Sequence, residues 1–349
     1  IHSTSTGTVT FTGSSAQEIT GSASVHFYGT LEINNSNGVS LTNTTTGTDH
    51  EIHGVLSFTS GKLTLNTFNL TLDGTADPTG IGASSYIVTN NSGQLKRTVA
   101  ASDILFPIGN SAYNPVIINN AGTSDIYGVI AVDSKPASFS GTEHIVNRSW
   151  NVTEETPGGS DFTLTAQWNN AEEATGFDET KSSVGITSDA GANVTWGSVG
   201  AASGSDPYTQ SGTGYTSVGT FMVGDYYYGG LVMDLKVVLA GAWNATNDNM
   251  DKTLNTAGLI PTTDPYSVGV TVSSVPANAV DWVKIELRSS GNNATVTNTY
   301  AKFVDTDGQI IEEDGSNMKF TGAATGSYYV AVQHRNHFGV VSASTVDIG

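Results

Sequence analysis

Short stretches of alternating apolar and polar residues fill this chain of 349 residues, and turn-forming Gly, Asn, Ser and Asp interrupt them every few positions. Two examples are the runs DWVKIELR at 281–288 and GSYYVAVQH at 326–334. β-Branched and aromatic residues at period two suit half-buried strands, and the residues between them suit tight turns. The pattern leaves room for one short helix, at 247–257. It therefore predicts an all-β fold and argues against a nucleotide-binding α/β enzyme.

Differences in strand length and composition divide the chain into three segments. Residues 1–80 hold strands of four or five residues with Gly, Asn and Ser corners, which predict a short β-solenoid-like segment, with a small meander sheet as the alternative. Longer strands with tryptophans at 81–228 predict an antiparallel β-sandwich. Residues 229–349 predict a second, Ig-like β-sandwich whose strands include 231–240 and 267–272.

Composition narrows the classes of partner. Thirteen Lys and Arg residues stand against 32 Asp and Glu residues, and the resulting net charge of -19 argues against nucleic acid and anionic lipid as partners. The chain has no cysteine, which excludes disulfides, thiol catalysis and thiolate metal sites. No apolar run reaches the length of a membrane-spanning helix, so we expect no membrane insertion. The sequence begins at Ile1 rather than Met, and we expect it to be the mature form of an exported protein.

The C-terminal segment carries the most specific sequence signature. It combines the DWVKIELR run with DTDG at 305–308 and YYVAVQHRNHFGV at 328–340. In this it resembles a module of large secreted surface proteins of the Bacteroidetes type, many of which are exported by the type IX secretion system. The middle segment, through FPIG at 106–109 and YNPV at 113–116, is similar to the sandwich that often precedes that module. The resemblance implies export to the bacterial cell surface and a structural or adhesive role, and it supplies no catalytic residues.

Two acidic stretches supply the candidate metal ligands, Asp248 and Asp251 in one and Asp305 and Asp307 in the other. Carboxylate oxygens are the ligands that Ca²⁺ prefers. Neither stretch has the spacing of an EF-hand, because Gly308 stands at the fourth position rather than the sixth. Turns between strands are therefore the favoured interpretation, and calcium is the one cofactor we keep as an alternative to none.

A pair of histidines, His334 and His337, is the sharpest local cluster in the sequence. Residues three apart on a strand face opposite sides, so the two imidazoles can meet only if a turn separates them. Two ligands rarely fill a metal site, and hydrogen bonds that fix the last hairpin are the favoured interpretation.

Neighbouring carboxylates do not indicate an active site in this chain. The pairs at 154–155, 172–173 and 312–313 would point to opposite faces of a strand. The sequence also holds no Gly-x-Ser-x-Gly elbow, no phosphate-binding loop and no His-Glu-x-x-His motif. We therefore expect a non-enzymatic protein, and a hydrolase is the weakest alternative.

The leading expectation is a structural protein that assembles with copies of itself. It would form a bacterial surface fibre or layer, or the stalk of an adhesin, through exposed strand edges or strand exchange between subunits. The Thr-rich segment 3–14 is the expected donor strand. The expected interface residues are Thr8, Val9, Thr10, Phe11 and Thr12, together with Tyr226, Tyr227 and Tyr228 at a segment junction.

A carbohydrate-binding accessory module is the alternative from another class, and a surface glycan or another surface protein would then be the partner. Trp196 and Trp243 lie near predicted loops and could stack on sugar rings with the three tyrosines. Trp150, Trp168 and Trp282 lie inside alternating strands and are expected in the core. This alternative predicts a monomer with saturable glycan binding.

Overall fold

A computed structural model describes residues 7–43, 49–73, 76–225, 228, 231–323 and 326–348. The chain splits into two compact units, Ile1–Gly229 and Gly230–Gly349, which we call the N-terminal unit and the C-terminal unit. Strands dominate both units, so the predicted all-β fold is confirmed. The division into three segments at residues 80 and 228 stays a prediction. No helix of the described residues is long and apolar enough to cross a membrane.

The N-terminal unit begins with a parallel β-solenoid. Register partners in successive coils lie 20 to 26 residues apart, as His50↔Leu70 and Asn34↔Ser60 illustrate. We number the coils as coil 1 (residues 7–29), coil 2 (30–54) and coil 3 (55–78). Their strands are β1 (Thr8–Thr12), β2 (Gln17–Gly21), β3 (His26–Phe27), β4 (Thr30–Asn34), β5 (Val39–Asn43), β6 (His50–Ile52), β7 (Leu56–Ser60), β8 (Leu63–Thr64) and β9 (Leu70–Leu72).

Each coil contributes one strand to each of three faces. The first face has the order β1-β4-β7, the second contains β2-β5-β8 and the third contains β3-β6-β9, and all of these neighbours are parallel. Alternate side chains point inward and stack on those of the next coil, as Leu31 does on Leu56. This ladder is why strands of two to five residues with simple alternation are enough to build a core.

A tight corner joins the first face to the second. Asn35 is buried there, donates from Nδ2 to the Ser15 carbonyl at 2.7 Å, and accepts from the Asn37 amide at 2.9 Å. In the next coil Gly61 passes the same corner with a φ of 86°. A Cβ at Gly61 would lie 1.8 Å from the Asn35 carbonyl oxygen, so the corner requires glycine.

An antiparallel sandwich completes the N-terminal unit. The third face continues through β11 into a nine-stranded sheet, β19-β18-β22-β16-β15-β11-β9-β6-β3, and a five-stranded sheet β12-β14-β17-β21-β20 packs against it. Trp150 and Trp168 are fully buried in the shared core, as expected. The remaining strands are β10 (Ile87–Val88), β11 (Leu95–Val99), β12 (Ile104–Phe106), β13 (Ile108–Gly109), β14 (Val116–Asn120), β15 (Asp125–Val132), β16 (Ile145–Glu154), β17 (Phe162–Trp168), β18 (Ser182–Thr187), β19 (Thr195–Trp196), β20 (Ser203–Gly204), β21 (Tyr208–Tyr215) and β22 (Thr220–Asp225), with 3₁₀ turns at Asn170–Glu172 and Glu179–Lys181.

The C-terminal unit is built on an antiparallel sheet of six strands. Its order is β28-β27-β26-β30-β31, and β32 pairs with the other end of β30. Trp282 is buried in this unit, as expected, and its Nε1 donates to the Pro261 carbonyl. The Ig-like topology stays a prediction. The elements are β23 (Leu231–Val232), β24 (Trp243–Asn244), β25 (Asn249–Met250), α1 (Thr253–Thr256), β26 (Ala279–Ser289), β27 (Val296–Asp305), β28 (Ile310–Ile311), β29 (Lys319–Phe320), β30 (Gly326–His334), β31 (His337–Val341) and β32 (Val346–Ile348).

Two predicted strands of the C-terminal unit are wrong in extent. The strand expected at 231–240 ends at Val232, and Lys236 makes only an isolated bridge with Gln309. The strand expected at 267–272 is a loop. The buried Asp264 carboxylate accepts the backbone N–H groups of residues 266, 268, 269 and 270, so these amides are not available to a sheet. Burial raises the pKa of Asp264, but the four amide donors outweigh it and the pKa is lowered.

Candidate functional site

The outer edge of β31 is the most exposed apolar feature of the C-terminal unit. No strand of the described residues pairs with that edge. Phe338 is 101% exposed and Val340 is 56% exposed, and Val341 is exposed beside them. The strand contains no Lys, Arg, Asp or Glu, the residues that usually protect an edge from pairing with another chain. The edge of β31 is therefore open to strand addition.

The expected interface residues Thr8–Thr12 form β1, the end strand of the first face. Val9 and Phe11 point inward, but both are only half-buried, whereas their register partners Leu31 and Ile33 in coil 2 are buried. No strand in the described part of the chain pairs with the outer edge of β1. Coil 1 is thus an incompletely covered end of the solenoid, a state that repeat proteins usually avoid with a capping repeat.

The outward side of the first face is a polar ladder. Glu32 in coil 2 accepts from Thr10 Oγ1 at 2.9 Å and from Thr59 Oγ1 at 2.7 Å, so one carboxylate joins all three coils. These two hydrogen bonds, with Thr59 the stronger, lower the pKa of Glu32. The donor segment expected at 3–14 is described from residue 7 onward, and residues 3–6 lie outside the described part.

The three tyrosines expected at a junction are described only in part. Tyr226 and Tyr227 lie outside the described residues. The Tyr228 ring stacks on Trp196 with centroids 5.6 Å apart, and its hydroxyl donates to the Glu143 carbonyl at 3.0 Å. Trp196 also packs over Gly224, where a Cβ would lie 2.7 Å from the indole. Both rings are therefore engaged in packing within the N-terminal unit, which leaves little of Trp196 for a sugar.

Trp243 lies in a different setting, at a cavity of about 480 Å³ in the C-terminal unit. Its side chain is 41% exposed. Polar groups of Asp251, Asn336 and His337 share the lining with the apolar side chain of Leu254. An exposed indole beside hydrogen-bonding groups is the combination that a sugar ring requires.

The two histidines of the last hairpin meet, because β30 ends at His334 and β31 begins at His337. Their Nδ1 atoms are 2.8 Å apart. The Gly241 amide donates to His337 Nε2 at 3.2 Å, so a neutral His337 carries its proton on Nδ1 and donates to His334. His334 then donates from Nε2 to Asp281 at 3.1 Å. With both imidazoles neutral, each hydrogen bond in the series Gly241–His337–His334–Asp281 has a defined donor and acceptor.

The Asp281 carboxylate is the buried end of that chain of hydrogen bonds, and Arg335 Nη2 contacts both of its oxygens, at 3.0 and 2.8 Å. Burial lowers the pKa of His334, and the His337 and Arg335 charges oppose its protonation further, whereas Asp281 acts in the opposite sense. The His334–His337 pair therefore makes hydrogen bonds that fix the hairpin, in agreement with the favoured interpretation.

The candidate calcium ligands are engaged in local turns. Asp305 accepts from the amides of Asp307 and Gln309 at 3.0 and 2.8 Å, which closes the turn after β27. Asp251 accepts from Asn244 Nδ2 at 3.1 Å. Asp248 lies in the hairpin between β24 and β25 with a φ of 54°. These contacts agree with turn formation, and calcium at either stretch stays a prediction.

The expectation that Glu172 and Glu173 lie on a strand is wrong, because Glu172 ends the 3₁₀ turn Asn170–Glu172, but the two side chains still point to different surroundings. Glu172 is buried, 3.2 Å from Arg148 Nη2, and accepts from Asn114 Nδ2 at 2.6 Å. Glu173 accepts from Trp168 Nε1 at 2.7 Å. Burial raises the pKa of Glu173 to about 7, with the Glu179 carboxylate adding to the effect. The two carboxylates therefore do not form an acid–base pair.

A further cluster, which the sequence did not indicate, lies on the third face of the solenoid. His26 Nδ1 and His53 Nε2 lie 2.8 and 3.0 Å from the same oxygen, Oε2 of Glu51. The two ring nitrogens are 3.3 Å apart, and Asp73 Oδ2 lies 2.8 Å from His53 Nδ1. In the described ranges this is the one group of three His, Asp or Glu residues close enough to share a metal ion.

The register of the coils brings these residues together. His26 in β3 pairs with Glu51 in β6, and Ile52 in β6 pairs with Leu72 in β9, so His53 and Asp73 follow at matching positions. Because Phe27, Ile52 and Leu72 point inward, the four polar residues share the outward side. Only a knowledge of the coil register could have revealed them from the sequence.

The fold and these sites define a class: an all-β protein whose parallel solenoid merges into an antiparallel sandwich, followed by a second all-β unit. Comparison with protein-family models, curated proteins and solved structures found no significant match.

Proposed function

We propose that the chain is a non-enzymatic extracellular structural protein that assembles with copies of itself into a bacterial surface fibre or layer, or into an adhesin stalk. The observation that carries the proposal is the open apolar edge of β31. Burying one Phe side chain is worth about 1.5–3 kcal/mol, and Phe338 retains all of that surface in water. A strand from a neighbouring subunit would cover this side chain and satisfy the free backbone groups of the edge.

Coil 1 supplies the second surface for assembly. β1 belongs to the N-terminal unit and β31 to the C-terminal unit, so pairing β1 of one copy with β31 of the next joins two different surfaces. A contact of this kind repeats from copy to copy, and it produces an open filament unless the rotation closes a ring. Since β1 already pairs with β4 over five residues, we favour addition at its free edge over strand exchange, which would uncover Leu31 and Ile33.

Features of the sequence support a location of the protein at the bacterial cell surface. The resemblance to modules of secreted Bacteroidetes-type surface proteins supports export through the type IX system and display at the cell surface. The absence of cysteine and the net charge of -19 are compatible with a structural role outside the cell.

The test is the assembly state of the full chain, by negative-stain electron microscopy and light scattering over a concentration series. We expect regular fibres or sheets. The double variant Phe338→Asp/Val340→Lys should abolish them, because charges on an edge strand oppose pairing. Leu259→Lys is the matched control: Leu259 is an exposed apolar residue of the same unit outside any strand, and its substitution should leave assembly unchanged.

Lysines introduced on β1 test the second assembly surface, which coil 1 supplies. Thr8→Lys/Thr12→Lys should reduce assembly, because both side chains are exposed on β1 and charges on an edge strand oppose pairing. Dispersed monomers of the unaltered chain at every concentration would refute self-assembly. Fibres that persist in the Phe338→Asp/Val340→Lys variant would refute the assignment to β31.

A carbohydrate-binding module is the second candidate, and the cavity beside Trp243 is the observation that favours it. In that case the chain would be monomeric, and a glycan array would identify a ligand with saturable binding. Trp243→Ala should then remove binding, whereas Trp196→Ala should not, because the Trp196 ring is packed against Tyr228 and Gly224.

A further inference from the structure

We propose that His26, Glu51 and His53 bind a divalent transition-metal ion, of which zinc is the representative, and that the ion joins coil 1 to coil 2. This proposal is independent of the proposed assembly. His26 lies in coil 1, and Glu51 and His53 lie in coil 2, so one ion would bridge two neighbouring coils.

The distances among the three candidate ligand atoms match those around a bound metal. The atoms form a triangle with sides of 2.8, 3.0 and 3.3 Å. Ligands about 2.0–2.1 Å from a zinc ion lie roughly 3.3 Å apart in a tetrahedral site and about 3.0 Å apart at right angles. An ion slightly above the plane of this triangle would reach all three atoms without moving the backbone.

One N–H group lies between two acceptor atoms in this cluster. The Asp73 carboxylate can only accept, so His53 Nδ1 donates to it and the lone pair of a neutral His53 points from Nε2 toward the Glu51 oxygen. Two acceptors then face each other at 3.0 Å, and the single N–H group that His26 Nδ1 can offer lies 2.8 Å from the Glu51 oxygen and 3.3 Å from His53 Nε2. A cation among the three atoms gives every lone pair a partner.

The surroundings have the form of a metal site. A carboxylate on the far nitrogen of a ligating imidazole fixes its tautomer and orientation, and Asp73 occupies that place for His53. The Tyr28 ring stacks on His53 with centroids 4.5 Å apart and an angle of 13°, which fixes the imidazole plane. Tyr28, like His53, is therefore held in place by contacts rather than free to rotate.

The donor set selects the class of metal. Two imidazole nitrogens and one carboxylate oxygen suit Zn²⁺ and similar transition metals, whereas Ca²⁺ and Mg²⁺ prefer oxygen ligands. The three side chains are half-buried and the cluster lies on the outward side, so at least one coordination position would face solvent. The ion would therefore hold the edge strand β3 against β6 and keep an exchangeable position.

The experiment is a zinc titration of the full chain, measured by isothermal titration calorimetry after a chelator has removed bound metal. We expect one zinc per chain and no comparable binding of Ca²⁺. Glu51→Gln and His53→Ala should each weaken zinc binding by more than about 100-fold, and Asp73→Ala should weaken it by about 10–100-fold. Glu32→Gln is the matched control, because Glu32 is a carboxylate of the same coil on another face. The Glu32→Gln variant should bind zinc as the unaltered chain does.

A second variant separates this site from the histidine pair of the C-terminal unit. His337→Ala removes one imidazole of that pair and should leave the single zinc in place. Hydrogen exchange gives an independent measurement, because zinc should slow exchange in β3 and β6 of the unaltered chain but not of the Glu51→Gln variant. Absence of stoichiometric zinc binding, or binding that Glu51→Gln and His53→Ala leave unchanged, would overturn the proposal.

Discussion

The incompletely covered end of the solenoid makes a quantitative prediction about two phenylalanines in one ladder. Phe11, Ile33 and Phe58 are register partners in coils 1, 2 and 3. Phe58 is 4% exposed, and replacing a buried Phe by Ala costs about 3–5 kcal/mol. Phe11 is only half-buried, so Phe11→Ala should lower the free energy of unfolding by roughly half as much, about 1.5–2.5 kcal/mol.

The assay must follow the N-terminal unit alone, because tryptophan fluorescence mixes both units. Urea unfolding of dispersed chains, with hydrogen exchange of peptides from β4 and β7 as the probe, meets this need. In assembled material the same Phe11→Ala change should cost more, since a neighbouring subunit would then cover the ring. Equal losses for Phe11→Ala and Phe58→Ala in dispersed chains would show that coil 1 is already covered, and the argument for an open end would fail.

Three further predictions concern stability. Gly61→Ala should cost more than about 2 kcal/mol in urea unfolding because of its positive φ and its contact with Asn35, whereas Gly82→Ala, which meets no neighbour, should be close to neutral. Burial holds the pKa of His334 below 6.5, so near that pH the unfolded chain binds more protons than the folded chain. Calorimetry should therefore show that the contribution of His334 to stability is present above pH 6.5 and is lost as the pH falls below it. The variant His334→Gln should show a weaker pH dependence. Glu173 has the opposite sign: its pKa is raised to about 7, so its contribution becomes unfavourable as the pH rises from 4.5 through 7, and Glu173→Gln should stabilise the N-terminal unit at pH 8 more than at pH 5.

The alternation of side chains predicts some of the strands, because burial on one side of a strand leaves a period of two in the sequence. It gave no indication of β11, β18 or β21. The runs at 281–288 and 326–334 correspond to the strands Ala279–Ser289 and Gly326–His334. The alternation failed at 267–272, where the buried Asp264 carboxylate binds the amides of residues 268, 269 and 270 and leaves one isolated bridge, Thr263↔Thr271. A hydrogen bond from a single side chain leaves no periodic trace, so the pattern could not indicate it.

The candidate metal cluster shows a different limit of sequence analysis. His26 and Glu51 are 25 positions apart, and only the parallel register of β3 and β6 makes them neighbours. The coils vary in length, so no fixed repeat marks the register in the sequence. The histidines at 334 and 337 were visible because they are close in sequence, but the two-residue turn that brings them together was not.

The nine-stranded sheet changes from parallel to antiparallel pairing between β11 and β15, and this gives the solenoid a polarity. The last coil is anchored on the sandwich, whereas the described strands of coil 1 pair only with strands of coil 2. A coil could therefore be gained or lost on the N-terminal side at the cost of one coil-to-coil interface, with no change in the sandwich. The number of coils is thus a property that evolution, or an engineer, can adjust independently of the rest of the molecule.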